Sequence, residues 1–248
     1  MKKNLVVVLG MLSFSWICAA GELHEFRSFS GKSVKAEIMD YNGRMDEVTL
    51  RLPNRRIRKV KPSVFIEADQ EYIKKWSLID GFKNSSKLRM EINKKAGDFR
   101  RLEGRRGSVA KTRKTRYDIV VENLNSYPME KISVEYKIFL KPQGDGQWHS
   151  ELVGLLGSRD ELQNPSPVSG ARWCEKIPAG GKILFETKFA RSVKAKPTSR
   201  PDSSGNVLKN QAIVLEGIWV RLVMELDGKK IARDVFAPDT LEGKHEWE

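Results

Sequence analysis

The sequence predicts an all-β protein in two parts: a small barrel of short strands closed by one short helix, followed by a larger antiparallel β-sandwich. Three observations lead there. Apolar and polar residues alternate with period two in run after run, from Val34 to the C-terminal region. Turn signals separate these runs, among them Gly31, Tyr41–Arg44, Pro53-Asn54 and Asp227-Gly228. Apolar residues at helical spacing occur in one place, Tyr72, Ile73, Trp76 and Ile79, and no stretch after residue 80 has a convincing helical period.

The chain has 248 residues, with 45 Lys+Arg against 32 Asp+Glu and a formal charge of +13. That length and a charged content of 31% suit one or two globular domains. Residues 1–20 read as a secretory signal peptide: Lys2-Lys3, an apolar run from Leu5 to Ile17, and small residues around Ala20. The apolar run is shorter than the roughly 20 residues of a spanning helix. The expected location is therefore the periplasm or cell surface of a bacterium, with no transmembrane segment after cleavage. Export disfavours nucleic acid as the partner of this basic chain. Cleavage also removes Cys18 and leaves Cys174 alone, so no internal disulfide is expected.

Residues 21–79 read as the barrel. Val34, Ala36 and Ile38 alternate with Lys35 and Glu37; Val48, Leu50 and Leu52 alternate with Thr49 and Arg51; Ile57–Lys61 forms a further short strand ended by Pro62. The helix that follows has Glu67, Asp69 and Glu71 in its first turns and Lys74 and Lys75 later, an order that complements the helix dipole. Tyr72 and Trp76 are expected to pack this helix on the strands, with Phe65 beneath. The description is that of an SH3-like barrel.

Arg27, Phe29, Ser30-Gly31-Lys32, Ala36, Val48, Leu50, Val60, Phe65 and the closing Asp69-Gln70-x-Tyr72-Ile73 stand in a familiar order. In this order the segment resembles the Sla-one homology domain one, an SH3-like module named in a yeast endocytic adaptor and recurrent in exported proteins of planctomycete-type bacteria. The resemblance covers about a fifth of the chain and implies a protein-interaction module. Phe29 stands where the family usually has Trp. Ile66 stands where it usually has a Ser, and loss of such an N-cap costs about 0.5–2 kcal/mol.

Residues 80–86 read as a linker, with Gly81 and a polar run, and 87–248 as the sandwich. Its strands are marked by Leu88/Met90/Ile92, Tyr117/Ile119/Val121, Ile132 to Leu140, Ile183 to Phe189 and Ile218 to Leu226. The strand–Asn turn–strand unit within Val121–Phe139 and the Pro-Ala-Gly turn in Ile177–Thr187 resemble those of bacterial immunoglobulin-like or fibronectin-type modules, which implies an immunoglobulin-like fold. Two long connections, 142–176 and 191–211, are the places for loops, and Trp148 and Trp173 lie in the first.

No enzyme signature is present. His24, His149 and His245 are scattered, one mature cysteine makes no thiolate zinc site, and Cys174 with His149 lies in no nucleophile–base motif. The sequence therefore assigns no catalytic residue, no metal ligand and no cofactor. It does hold a basic run, Phe99–Arg116, with Arg100, Arg101, Arg105, Arg106, Lys111, Arg113, Lys114 and Arg116 against the single acid Glu103. Read as a basic hairpin, these eight side chains are the candidate contact for an anionic polymer. The expected function is binding of a protein, peptide or anionic surface polymer at the envelope. The competing classes are an envelope hydrolase or hydrolase subunit with its site in the long loops of the sandwich, and a structural component of a surface layer.

Overall fold

A computed structural model describes residues 22–104, 108–144, 148, 150–196 and 210–247. The expected signal peptide lies outside them. The protein is all-β, with antiparallel sheets of four and eight strands, and it divides into two compact units between Leu78 and Ile79.

The first unit is a meander of β1 (His24–Arg27), β2 (Ser33–Asn42), β3 (Glu47–Arg51) and β4 (Ile57–Val60), followed by a 3₁₀ turn at Pro62–Val64 and, up to Leu78, the helix α1 (Glu67–Lys83). The meander closes on itself beyond β4. Ser28 bridges to Phe65, and the Ile66 amide donates to the Arg27 carbonyl at 2.9 Å. A bulge between Ile38 and Asp40 bends β2 to permit this. Phe26, Ala36, Ile38, Val48, Leu50, Phe65 and Ile73 form the core, with Tyr72 and Trp76 half-buried at its margin. The Asp-Gln pair has specific work here. Asp69 accepts from the Arg27 amide at 2.6 Å and meets His24 Nε2 at 2.8 Å, while Gln70 donates to the Phe65 carbonyl at 2.7 Å. These bonds hold the start of α1 without a Ser N-cap.

The stretch 80–86, expected to be a linker, is helical as far as Lys83. Its physical reason is packing that the polar composition hid: Phe82 is fully buried, and Arg233 donates to the carbonyls of Phe82 (3.0 Å) and Leu88 (2.6 Å). Gly81 is present for close approach rather than for a turn. A Cβ there would lie 2.5 Å from Tyr127 Oη and 2.7 Å from Asn125 Oδ1.

The second unit contains β5 (Leu88–Glu103), β6 (Val109–Asn123), β7 (Met129–Gln143), α2 (Ser150–Leu156), α3 (Arg159–Gln163), β8 (Val168–Ile177), β9 (Lys182–Glu186), β10 (Ala190–Lys196), β11 (Gln211–Leu226) and β12 (Lys229–Ala237). Two layers make the sandwich: β5-β6-β9, and β8-β7-β11-β12. That strand grouping is the immunoglobulin-like one. Tyr117, Ile119 and Val121 of β6, Ile132, Val134, Tyr136 and Ile138 of β7, and Val220, Leu222 and Met224 of β11 are all buried. Burial pushes the Tyr117 phenol up to about 12.

Asn123, with no exposed surface, ties the layers together at one end. Its Nδ2 donates to the carbonyls of Tyr127 (2.9 Å), Ile177 (3.0 Å) and Pro178 (3.1 Å). Its Oδ1 accepts from the backbone amide and the side-chain amide of Asn125 at 3.1 and 2.8 Å.

At the other end the two layers run on into one continuous sheet, because β10 pairs with β6 on one side and with β11 on the other. The order there is β5-β6-β10-β11-β7. Much of what the sequence presented as long loops is thus ordered: α2, α3 and β8 come from 142–176, and β10 from 191–211. Helices α2 and α3 are too short to show a period, although Ser158 and Glu161 form a capping box at α3. Trp148 is buried with Ala110, Leu156, Leu162, Val193, Ala195 and Ile213. Trp173, by contrast, is 59% exposed on β8.

Candidate functional site

Residues paired across an antiparallel ladder share a face, and so do residues two apart on one strand. Applied to the five-stranded extension, this rule splits the predicted basic hairpin. Leu102 is paired with Ala110 and Val193 with Thr112, so their face is the one that buries Trp148. Arg100 and Lys114 belong to that face, at its exposed periphery. Arg101, Lys111 and Arg113 belong to the opposite face.

The opposite face gathers bases from strands far apart in sequence. Lys111 is paired with Arg101 of β5 on one side and with Lys194 of β10 on the other, which makes a row of three bases across three adjacent strands. At the inter-strand spacing of about 4.8 Å the row spans roughly 10 Å. Arg113 stands two residues from Lys111, and Lys196 two residues from Lys194. Lys141 joins from β7, through the pairing of Val214 with Lys141 and of Ala212 with both Lys194 and Gln143. Arg101, Lys111, Lys141, Lys194 and Lys196 are exposed. Glu103, 2.9 Å from Arg101, is the acid of this face among the described residues.

Like charges placed directly opposite one another in a sheet are destabilising; several charged rows elsewhere set opposite signs together, while Lys95–Arg116, Lys114–Arg191 and Asp118–Glu186 pair like with like across two strands. On the outer side of β5-β6-β9 the row Arg89–Glu122–Lys182 sets an acid between two bases. Arg89 Nη2 contacts Glu122 Oε2, and Lys182 Nζ lies 2.9 Å from Oε1. Lys182 and Arg89 hold the Glu122 carboxyl below its ordinary range. On β11 and β12, Arg221 grips Asp234 at 2.7 and 3.0 Å. In the first unit Arg51 is paired with Glu37. The Arg101–Lys111–Lys194 row sets three like charges across three adjacent strands with no acid between them.

The remaining predicted bases fall elsewhere. Arg116 is tied to Glu186 by two bonds of 3.0 and 2.6 Å, with Asp118 at 3.4 Å, and so is neutralised within the sandwich layer. Arg105 and Arg106 lie outside the described residues. Three of the eight, Arg101, Lys111 and Arg113, are therefore brought together, and Lys141, Lys194 and Lys196 were missed. A signal for the last two existed: Val193-Lys194-Ala195-Lys196 alternates with period two, inside a stretch whose Pro and Ser content suggested a loop.

Among the described residues the other candidates assemble no site. Cys174 is buried opposite Ile132, and burial raises its thiol. His149 lies outside the described residues. Among the described residues no group of three His, Cys, Asp or Glu side chains gathers to hold a metal ion, and no helix is long and apolar enough to cross a membrane. The chain matches no protein-family model, and no curated protein is similar to it.

Proposed function

We propose that this is an exported, non-enzymatic binding protein of the bacterial envelope, and that its sandwich unit holds an anionic polymer on the basic face of β5, β6 and β10. The observation that carries this reading is the Arg101–Lys111–Lys194 row. Three exposed bases side by side cost stability in the free protein, and an anion laid across them removes that cost. Arg101 and Arg113 add planar forks suited to carboxylate, sulfate or phosphate. The resemblance of the first unit to the Sla-one homology module supports a second, protein-directed contact.

The test is retention on immobilised heparin and immobilised polyphosphate. Full-length protein with Arg101→Gln, Lys111→Gln and Lys194→Gln is compared with a control carrying Arg100→Gln, Lys114→Gln and Lys230→Gln, which loses the same charge from other faces. The first variant elutes at clearly lower salt than wild type, and the control elutes close to wild type. Equal elution of the two variants would mean that net charge alone governs retention, and would sink the assignment of this face.

A further inference from the structure

Among the described residues the basic face carries one aromatic ring, Phe99, and the chain is locally deformed to put it there. β5 has a bulge between Ala96 and Phe99, where Gly97 and Asp98 together oppose the single residue Lys114 of β6. Bulges re-aim side chains and are over-represented next to functional sites. Here the bulge sets Phe99 opposite Arg113, on the face of Lys111 and Arg101. Phe99 is 51% exposed. The Arg113 guanidinium lies 4.8 Å from the centre of its ring, and Arg113 Nε donates 2.8 Å to the Gly97 carbonyl freed by the bulge. The bulge therefore fixes a ring and a planar cation as one unit, in the row next to Arg101–Lys111–Lys194. A face that worked by charge alone has no use for an exposed ring or for a bulge that orients it.

Resting on the anion-binding reading above, we infer that the ligand is a linear polysaccharide carrying a carboxylate or sulfate on nearly every sugar, with one sugar ring stacked on Phe99. Two features favour this over other polyanions. The bases in the row are spaced by the inter-strand distance, about 4.8 Å, which matches the length of one pyranose unit along a chain and places one anionic group per base. A single ring beside five or six cations suits one stacked sugar. Single-stranded nucleic acid is held instead on tracks of several aromatic side chains, one per base. Polyphosphate has no ring to stack at all.

The experiment measures the affinity of the full chain for polygalacturonate, heparin, polyphosphate and a single-stranded DNA oligonucleotide, with wild type, Phe99→Ala and Phe99→Tyr. Phe99 is half-exposed, so both variants are expected to fold, and their thermal unfolding is recorded alongside. Phe99→Ala lowers affinity for the two glycans about fivefold, a change in the range of one aromatic contact. It leaves polyphosphate binding unchanged, and Phe99→Tyr retains glycan binding. Equal loss on polyphosphate and glycans, or no loss on either, overturns the stacking inference while leaving the basic face intact. Tighter binding of the oligonucleotide than of either glycan, with the same sensitivity to Phe99→Ala, replaces the glycan by nucleic acid. Failure of wild type to bind any of the four overturns the anion-binding reading itself.

Discussion

Replacing Phe26 by Ala unfolds the first unit. Phe26 has no exposed surface, and its ring centre lies 5.1 Å from that of Phe65, 4.7 Å from that of His24 and 6.1 Å from that of Tyr72. It is therefore the side chain on which β1, the Phe65 turn and α1 converge. Truncation of a buried Phe costs about 3–5 kcal/mol. A unit of this size buries too little surface to absorb that loss. Hydrogen exchange on the full chain reads the result: amides of β2 and β3 lose their protection, with β11 as the internal reference. Protection of β2 and β3 at the wild-type level would show that the core is organised around another residue. Trp76, which the sequence made the anchor of the helix, has a smaller expected effect because it is only half-buried; Ile73, at 1% exposure, is the deeper contact.

Replacing Asn123 by Ala destabilises the sandwich by about 3–5 kcal/mol. An orphaned buried polar group costs roughly 1–3 kcal/mol, and the substitution leaves more than one. The carbonyls of Ile177 and Pro178 lose a donor, and the Asn125 side chain loses its acceptor at 2.8 Å. Backbone bonds between Asn123 and Gly181 (2.9 Å) and between Gly180 and Asn123 (2.8 Å) remain, but the layers lose their side-chain tie. Asn123→Asp keeps the acceptor and loses both donor hydrogens, so it separates the two contributions. Urea unfolding of the sandwich gives the answer, and a midpoint unchanged by Asn123→Ala would contradict it.

Asn123 also shows what a sequence can and cannot reveal. The Asn turn after β6 and the Pro-Ala-Gly turn after β8 each stood out as turn chemistry. That one side chain joins them, across 54 residues, is a property of the layers and of no local pattern. The sandwich strands were legible because Tyr117/Ile119/Val121 and Ile132/Val134/Tyr136/Ile138 are large and alternate cleanly. β10 was not, since its inward residues are small (Val193, Ala195) and its neighbours are those of a loop. The barrel followed from alternation and from one amphipathic helix. The end of α1 was obscured because Gly81 serves close packing there, although glycine more often marks a turn.

The candidate site was legible in part for the same reason. Eight bases in one stretch drew attention to Phe99–Arg116, and period two alone places Lys111 and Arg113 on one face and Lys114 and Arg116 on the other. The one-residue bulge at Gly97-Asp98 then decides which β5 residues join which face, and only the pairing of β10 with β6 supplies Lys194.

In the proposed function Arg101, Lys111 and Lys194 contact anionic groups of a bound polymer. The most direct test of that contact is the slope of log affinity against log salt for polyphosphate, a probe that carries charge and no rings. Each contact to a single-stranded polyanion contributes about 0.7 to that slope. Changing all three residues to Gln should therefore reduce its magnitude by about two, together with the affinity. An unchanged slope would mean that none of the three touches the polymer, and would contradict the account.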